Sequence, residues 1–214
     1  MKKLFYIQET AMYVRLKFEK ESSGHDWWHI HRVWQLAVKI AKKEKANLFL
    51  VEMAALLHDL DDWKLGPNGQ EEPRAVCWMK KLGLSEKEIE QIWKIIGEVS
   101  FKGAGVDTTP SSLEAGVVQD ADRLDAIGAI GIARTFTYGG YKNRLIYDPG
   151  IDPVSHRSFA AYQKTSAPTI NHFYEKLLLL KDRMNTETGR KMADARHAFM
   201  EQYLAQFFHE WNLN

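Results

Sequence analysis

The stretch Leu48–Leu57, LFLVEMAALL, is apolar at every position except Glu52. Its length suits a helix, and a helix oily on nearly every face has to be buried. Whatever the chain folds into must therefore be assembled around this segment. The run ends abruptly in His58, Asp59, Asp61 and Asp62. Carboxylates near a helix C-terminus oppose the macrodipole, at about 0.3–1 kcal/mol each when partly exposed. Lys or Arg would stabilise such an end, so a bound cation is the natural offset. A hydrogen-bonded core histidine is the plainer reading of His58.

The rest of the chain supplies helices to cover that core. Leu4, Ile7, Met12 and Leu16 predict an outer amphipathic helix over 4–20, broken by Ser22, Ser23 and Gly24. Ile30, Val33, Trp34, Ala37, Ile40 and Ala41 share one face of a helix over 25–46. Lys42, Lys43 and Lys45 suit its C-terminal end, and Asn47 is an N-cap for the buried helix. GPNG at 66–69 marks a turn, and a helix over 74–82 stops at Gly83. Ser85 with Glu88 forms a capping box before Ile89, Ile92, Trp93 and Ile96. After a loop at 101–110, Ser111 with Glu114 forms a second box. It opens one helix running through 117–136, where Ala121, Gly128, Ala129 and Gly131 permit close packing. Residues 138–153 form the longest irregular segment, a lid, a binding loop or a plain surface excursion. Two helices follow near 169–185 and 188–211, the second carrying Met192, Ala195, Phe199, Tyr203, Phe207 and Trp211. The expectation is an all-α single domain over 1–214.

Composition narrows the function. Lys and Arg number 29 against 28 Asp and Glu, so no broad charge pulls the chain toward nucleic acid. No window reaches 18 apolar residues, so no membrane-spanning helix is expected. Gln8, Glu9 and Arg15 interrupt the N-terminal segment before a signal-peptide core can form, which makes the cytoplasm the expected compartment. The one cysteine, Cys77, excludes an intramolecular disulfide framework and reads as a small buried hydrophobe.

Three segments could bring metal ligands together. His25 and His29 stand four residues apart, on one helical face. His58-Asp59 is the second element, and Asp120, Asp122 and Asp125 lie on a later helix. The order His29-Ile30-His31-Arg32-Val33, His58-Asp59 and Ala121-Asp122-Arg123-Leu124 resembles the HD-domain superfamily of metal-dependent phosphohydrolases. The motifs span 25–126, and 138–214 reads as a branch-specific loop and C-terminal helices on an HD-type bundle. HDWxH at the front and DADRLDAIGAIGIAR further on are most similar to small bacterial HD proteins, a group that includes nucleotide pyrophosphohydrolases.

The resemblance implies a divalent ion on His29, His58, Asp59 and Asp122. Two neutral imidazoles and two carboxylates cancel its charge and leave coordination positions open. Imidazole ligands disfavour Mg²⁺ and Ca²⁺ and favour Mn²⁺, Fe²⁺, Co²⁺ or Ni²⁺, and one of these four is expected ahead of Mg²⁺ or Zn²⁺. An acid occurs at the position of Asp62 in several branches of the superfamily, usually as Glu, and on a continuing helix Asp62 would lie beside the metal. It is the expected general acid/base. His25 is placed on the substrate phosphate or at the helix start. Arg32 pairs with substrate or with a carboxylate of the cluster, while His31 faces away and is structural. Lys64, Lys176 and Lys181 are phosphate contacts or ordinary surface lysines. Asp61 reads as a solvated acid. Asp120 orients a ligand, binds a second metal or sits in a buried salt bridge, and Asp125 holds Arg123 or another supporting group.

The expected activity is metal-dependent hydrolysis of a nucleotide or related phosphate ester or anhydride, such as a (d)NTP cut to NMP and pyrophosphate. A homo-oligomer is compatible with it. The alternative is a non-catalytic HD module that binds a nucleotide or protein partner. A zinc protease reading rests on His25-Asp26-Trp27-Trp28-His29 as a mimic of HExxH, but Asp is a methylene short of the Glu that activates water. It also leaves HDLDD and DADRLD without a task.

Overall fold

The computed structural model describes residues 2–19, 21, 24–61, 72–154, 160 and 166–213. Among them all regular structure is helical. The chain divides into two compact units, residues 1–100 with 109–121, and residues 101–108 with 122–214.

The first unit is built around the apolar decapeptide. Helices α1 (Lys2–Phe18), α2 (Trp27–Glu44) and α5 (Glu86–Val99) all pack on α3 (Leu48–Leu57), and α4 (Arg74–Leu82) packs on α5. Phe49, Leu50, Val51 and Met53–Leu57 are buried, leaving Leu48 and Glu52 on the outer side. Burial of each large side chain here stabilises by about 1.5–3 kcal/mol. Glu52 accepts a hydrogen bond from Trp34 Nε1 at 2.9 Å, which satisfies the one charge in the run. Asn47 caps α3 by accepting from Leu50 N, and the Ser85–Glu88 box caps α5.

Helix α1 buries a different stripe from the expected one. Tyr6, Ile7, Thr10, Val14 and Phe18 face inward, whereas Leu4, Met12 and Leu16 are exposed. Thr10 escapes a count of apolar residues because its hydroxyl is satisfied inside, accepting from Trp78 Nε1 at 2.9 Å. Cys77 is also a correction: it is exposed on α4, its Sγ 3.3 Å from the Glu72 carboxylate. Asp61 is no solvated acid. Its two carboxylate oxygens accept from Arg74 N at 3.0 Å and Ala75 N at 2.9 Å, capping the α4 N-terminus from outside the helix. The 66–69 turn lies outside the described residues.

Helix α6 (Leu113–Asp125) begins in the first unit and continues into the second. The second capping box is not formed. Ser112 Oγ accepts from Ala115 N, and Glu114 accepts from Asn47 N instead. Nor does one helix run through 136. It stops at Asp125, and α7 (Gly128–Tyr141) starts afresh at Gly128, whose φ of +75° is a left-handed conformation suited to glycine.

In the second unit α7 packs against the long α9 (Glu187–Trp211). A Cβ at Gly128 would lie 3.0 Å from Arg196 Cβ, and one at Gly139 would lie 2.3 Å from Thr169 Oγ1. Close approach is thus real at those glycines, while Ala129 is exposed. The helix expected near 169–185 is α8 (Asn171–Glu175) followed by two 3-10 turns, Leu177–Leu179 and Lys181–Arg183. Helix α9 buries Ala193, Met200 and Leu204, with Phe199 and Trp211 largely exposed. Tyr147 packs edge-on against Phe207, Phe208 and Trp211. The 138–153 segment is irregular only after Tyr141, and it is pinned. Leu145 and Ile146 carbonyls accept from Thr169 and Ile170 N–H, Ile151 O accepts from Asn171 Nδ2, and Val154 N donates to Glu175. That is the pattern of an ordered surface excursion.

Candidate metal centre

Helix α2 starts at an Asp26 cap, whose Oδ1 accepts the His29 N–H at 2.8 Å. With its carboxylate engaged there, Asp26 is poorly placed to play the water-activating role of a protease glutamate. His25 therefore stands before the cap and outside the helix. The turn, and not helical spacing, brings its ring to 5.4 Å from that of His29. His29, one turn inside, is fully buried.

Helix α3 delivers the other side of the cluster. It ends at Leu57, and 58–61 form a turn closed by Leu60 N to Leu57 O at 3.1 Å. The helix assumed to carry Asp62 beside the metal has therefore already stopped, and Asp62 itself lies outside the described residues, as does Lys64. His58 Nδ1 lies 2.8 Å from the Ala55 carbonyl, which can only accept, so Nδ1 carries the proton. His29 and His58 rings stand 5.4 Å apart, edge to face.

Asp59 sits at the centre, buried. Its Oδ2 is 2.8 Å from His25 Nδ1 and 3.2 Å from His29 Nε2, and its Oδ1 is 3.4 Å from His58 Nε2. Donor atoms of His25, His29 and Asp59 all lie within 4.8 Å of one another. Burial alone would push the Asp59 carboxyl up. The charges of His58 and His25, with hydrogen bonds from His25 and His29, outweigh it and hold the group well below its ordinary 3.8.

These donors fit a divalent cation. Ligands about 2.0–2.2 Å from one ion, at right angles or tetrahedrally, are themselves about 3–3.5 Å apart. The imidazole–carboxylate separations of 3.2 and 3.4 Å match that spacing. The His58 tautomer adds a second indication. With Nδ1 committed to the Ala55 carbonyl, His58 aims Nε2 at the Asp59 carboxylate, the nitrogen through which a histidine held this way would take a cation.

Asp122 is half-buried on α6, one residue past the part of that helix in the first unit. Arg32 is half-buried on α2. His31 lies among Trp27, Trp28 and Trp34, in keeping with a structural role. Lys176 is in the second unit, its Nζ 5.3 Å from the Phe101 ring centroid. Asp120 is fully buried. Asp125 pairs with Arg134 at 3.1 Å, because α7 turns Arg134 back onto the end of α6. That partner had no signal in the sequence, since it depends on the break at 126–127.

Known proteins place this arrangement. The HD domain family matches residues 27–127. An uncharacterised Bacillus subtilis protein, YpgQ, is 42% identical over 208 residues, 96% of this chain and 94% of its own. Its crystal structure in complex with ADP has a TM-score of 0.76 at 39% identity, covering 98% of this chain and 97% of that one. An HD-superfamily hydrolase from Bacillus thuringiensis has a TM-score of 0.74 at 44% identity, covering 99% and 100%. The buried His/Asp cluster at the ends of α2 and α3 is thus the structural expression of a shared ancestry, and the chain belongs to the HD-domain superfamily of hydrolases, among the small bacterial YpgQ-like proteins.

Proposed function

We propose that this chain is a divalent-metal-dependent phosphohydrolase acting on a nucleotide, with cleavage of a (d)NTP to NMP and pyrophosphate as the preferred form. The observation that carries the reading is the buried Asp59 with three imidazoles on its two oxygens. His29, His58 and Asp59 would hold the ion, with Asp122 as fourth ligand supplied by α6, and Mn²⁺, Fe²⁺, Co²⁺ or Ni²⁺ suit the nitrogen donors. Such an ion supplies a Lewis acid that acidifies water and polarises a phosphate oxygen. His25, through its bond to Asp59 Oδ2, fixes the carboxylate's orientation. Asp62 follows the cluster within three residues and is the group assigned to move the proton. The ADP complex of YpgQ supports a nucleotide as ligand. It equally fits a non-catalytic nucleotide-binding module, and turnover separates the two.

The experiment is a phosphate- and pyrophosphate-release screen across nucleoside mono-, di- and triphosphates with each metal, paired with Asp62→Ala. Metal-dependent release is expected, and Asp62→Ala retains the metal while losing about 10²–10⁴ in rate. No release with any metal would leave the binding module as the surviving reading.

A further inference from the structure

Helix α2 gives its inner side to the core and leaves its outer side to solvent. Trp28, Arg32, Gln35, Lys39, Lys42 and Lys43 recur at steps of three and four residues, so they line one ridge. Ile30, Val33, Ala37, Ile40 and Ala41 are buried on the opposite side. From Trp28 to Lys43 the ridge runs about 22 Å. Lys39, Lys42 and Lys43 are exposed, and among the described residues none of them meets a carboxylate. The single acid of the helix, Glu44, is its last residue and is half-buried. Totals of 29 Lys and Arg against 28 Asp and Glu thus conceal a local excess of cations. At its N-terminal end the ridge carries a bare aromatic. Trp28 is 58% exposed, the sole large apolar side chain of α2 so placed. It is braced, with His31 edge-on at 5.8 Å and His31 itself against Trp27 at 5.7 Å and Trp34 at 6.0 Å. Trp34 is fixed in turn by its bond to Glu52. A held, solvent-facing indole and a line of unpaired ammonium groups are the two features that grip a single nucleic-acid strand, a stacking platform and a cationic track for phosphates.

We propose that the outer ridge of α2 is a docking surface for single-stranded nucleic acid, with a base stacked on Trp28 and phosphates along Lys39, Lys42 and Lys43. Other occupants fit less well. A second copy would set cation against cation across a symmetric contact. A bilayer surface needs several apolar side chains to insert, and the ridge offers one. A duplex presents its phosphates but keeps its bases stacked on each other, away from the indole. The ridge lies wholly within the first unit, and its role does not depend on how the metal centre is read.

The test is fluorescence anisotropy of a labelled oligothymidylate of about a dozen nucleotides, titrated with the full chain at several salt concentrations. EDTA is present throughout, so that no metal-dependent cleavage intervenes. The parent should bind with a slope of log K against log salt of about −2, from three phosphate contacts at about 0.7 each. Lys39→Gln, Lys42→Gln and Lys43→Gln combined should flatten that slope toward zero and weaken binding at low salt by more than about ten-fold. Trp28→Ala should cost about ten-fold with the slope unchanged, and Trp28→Phe should recover most of the loss. Lys142→Gln, in the second unit, should change neither affinity nor slope. No binding by the parent, parental binding by the triple-lysine variant, or parental affinity in Trp28→Ala would each overturn the proposal. A duplex bound as tightly as the strand would do the same. Binding of phosphatidylserine vesicles in place of the oligonucleotide would overturn it in favour of a membrane.

Discussion

Two buried carboxylates close two helices and keep different company. Asp125, at the end of α6, faces the Arg134 guanidinium at 3.1 Å. Asp59, just past the end of α3, has three imidazoles within 3.4 Å. Arginine stays charged at any ordinary pH and cannot bind a metal, so the Asp125 pair is a fixed structural link. Imidazole can be neutral, offer a lone pair and share a cation, so the Asp59 cluster is open to chemistry. A buried acid reveals its purpose through the cation type facing it.

Removing each acid separates the two roles. Asp59→Ala should abolish stoichiometric metal by elemental analysis and cut turnover by more than about a hundred-fold, beyond the usual loss for a residue that merely supports a ligand. Full metal occupancy in that variant would make Asp59 as structural as Asp125. Asp125→Ala should do the reverse, leaving metal content intact while denaturant unfolding loses about 1–3 kcal/mol, since the half-buried Arg134 loses a charged hydrogen-bond acceptor.

Acid sharpens the contrast further. The Asp59 carboxyl is held below its ordinary value, so the stability it contributes is fully present above about pH 4 and is lost as pH falls through the lower folded value. Metal-free Asp59→Asn should lack that portion of the acid-induced loss seen in the parent. Unfolding curves recorded from pH 5 downward check this, and coincident profiles would deny the coupling. The smallest effect belongs to the acid two residues away. Asp61→Ala should cost about 1 kcal/mol through the lost α4 cap and leave metal content unchanged. A fall in metal content there would draw Asp61 into the centre.

Local physics made much of this legible. An apolar decapeptide can only be central, and Asn47, Ser85 and Glu88 mark helix starts because capping depends on neighbours within four residues. His29, His58 and Asp59 stood out as polar groups at places where packing asks for none. The failures share a different cause. Thr10 in the core, Asp61 capping a helix thirteen residues away and Glu114 turning to Asn47 each depend on a partner distant in the chain, and Cys77 is exposed because another face of α4 packs on α5. The break at 126–127 was hidden by good helix formers on both sides, although Gly128 marks it in retrospect.

By itself the amino-acid sequence determined the helical class, the central helix, most helix starts and the residue types able to bind a metal, because periodicity, capping and donor chemistry are local properties. Only the tertiary structure decided that His25 reaches Asp59 from outside the helix, that Asp125 belongs to Arg134, and that Lys176 and Arg183 share the Phe101 ring. Those pairings join residues from 7 to 82 positions apart along the chain, and side chains at such separations meet only once loop closure and packing have chosen which faces are buried together.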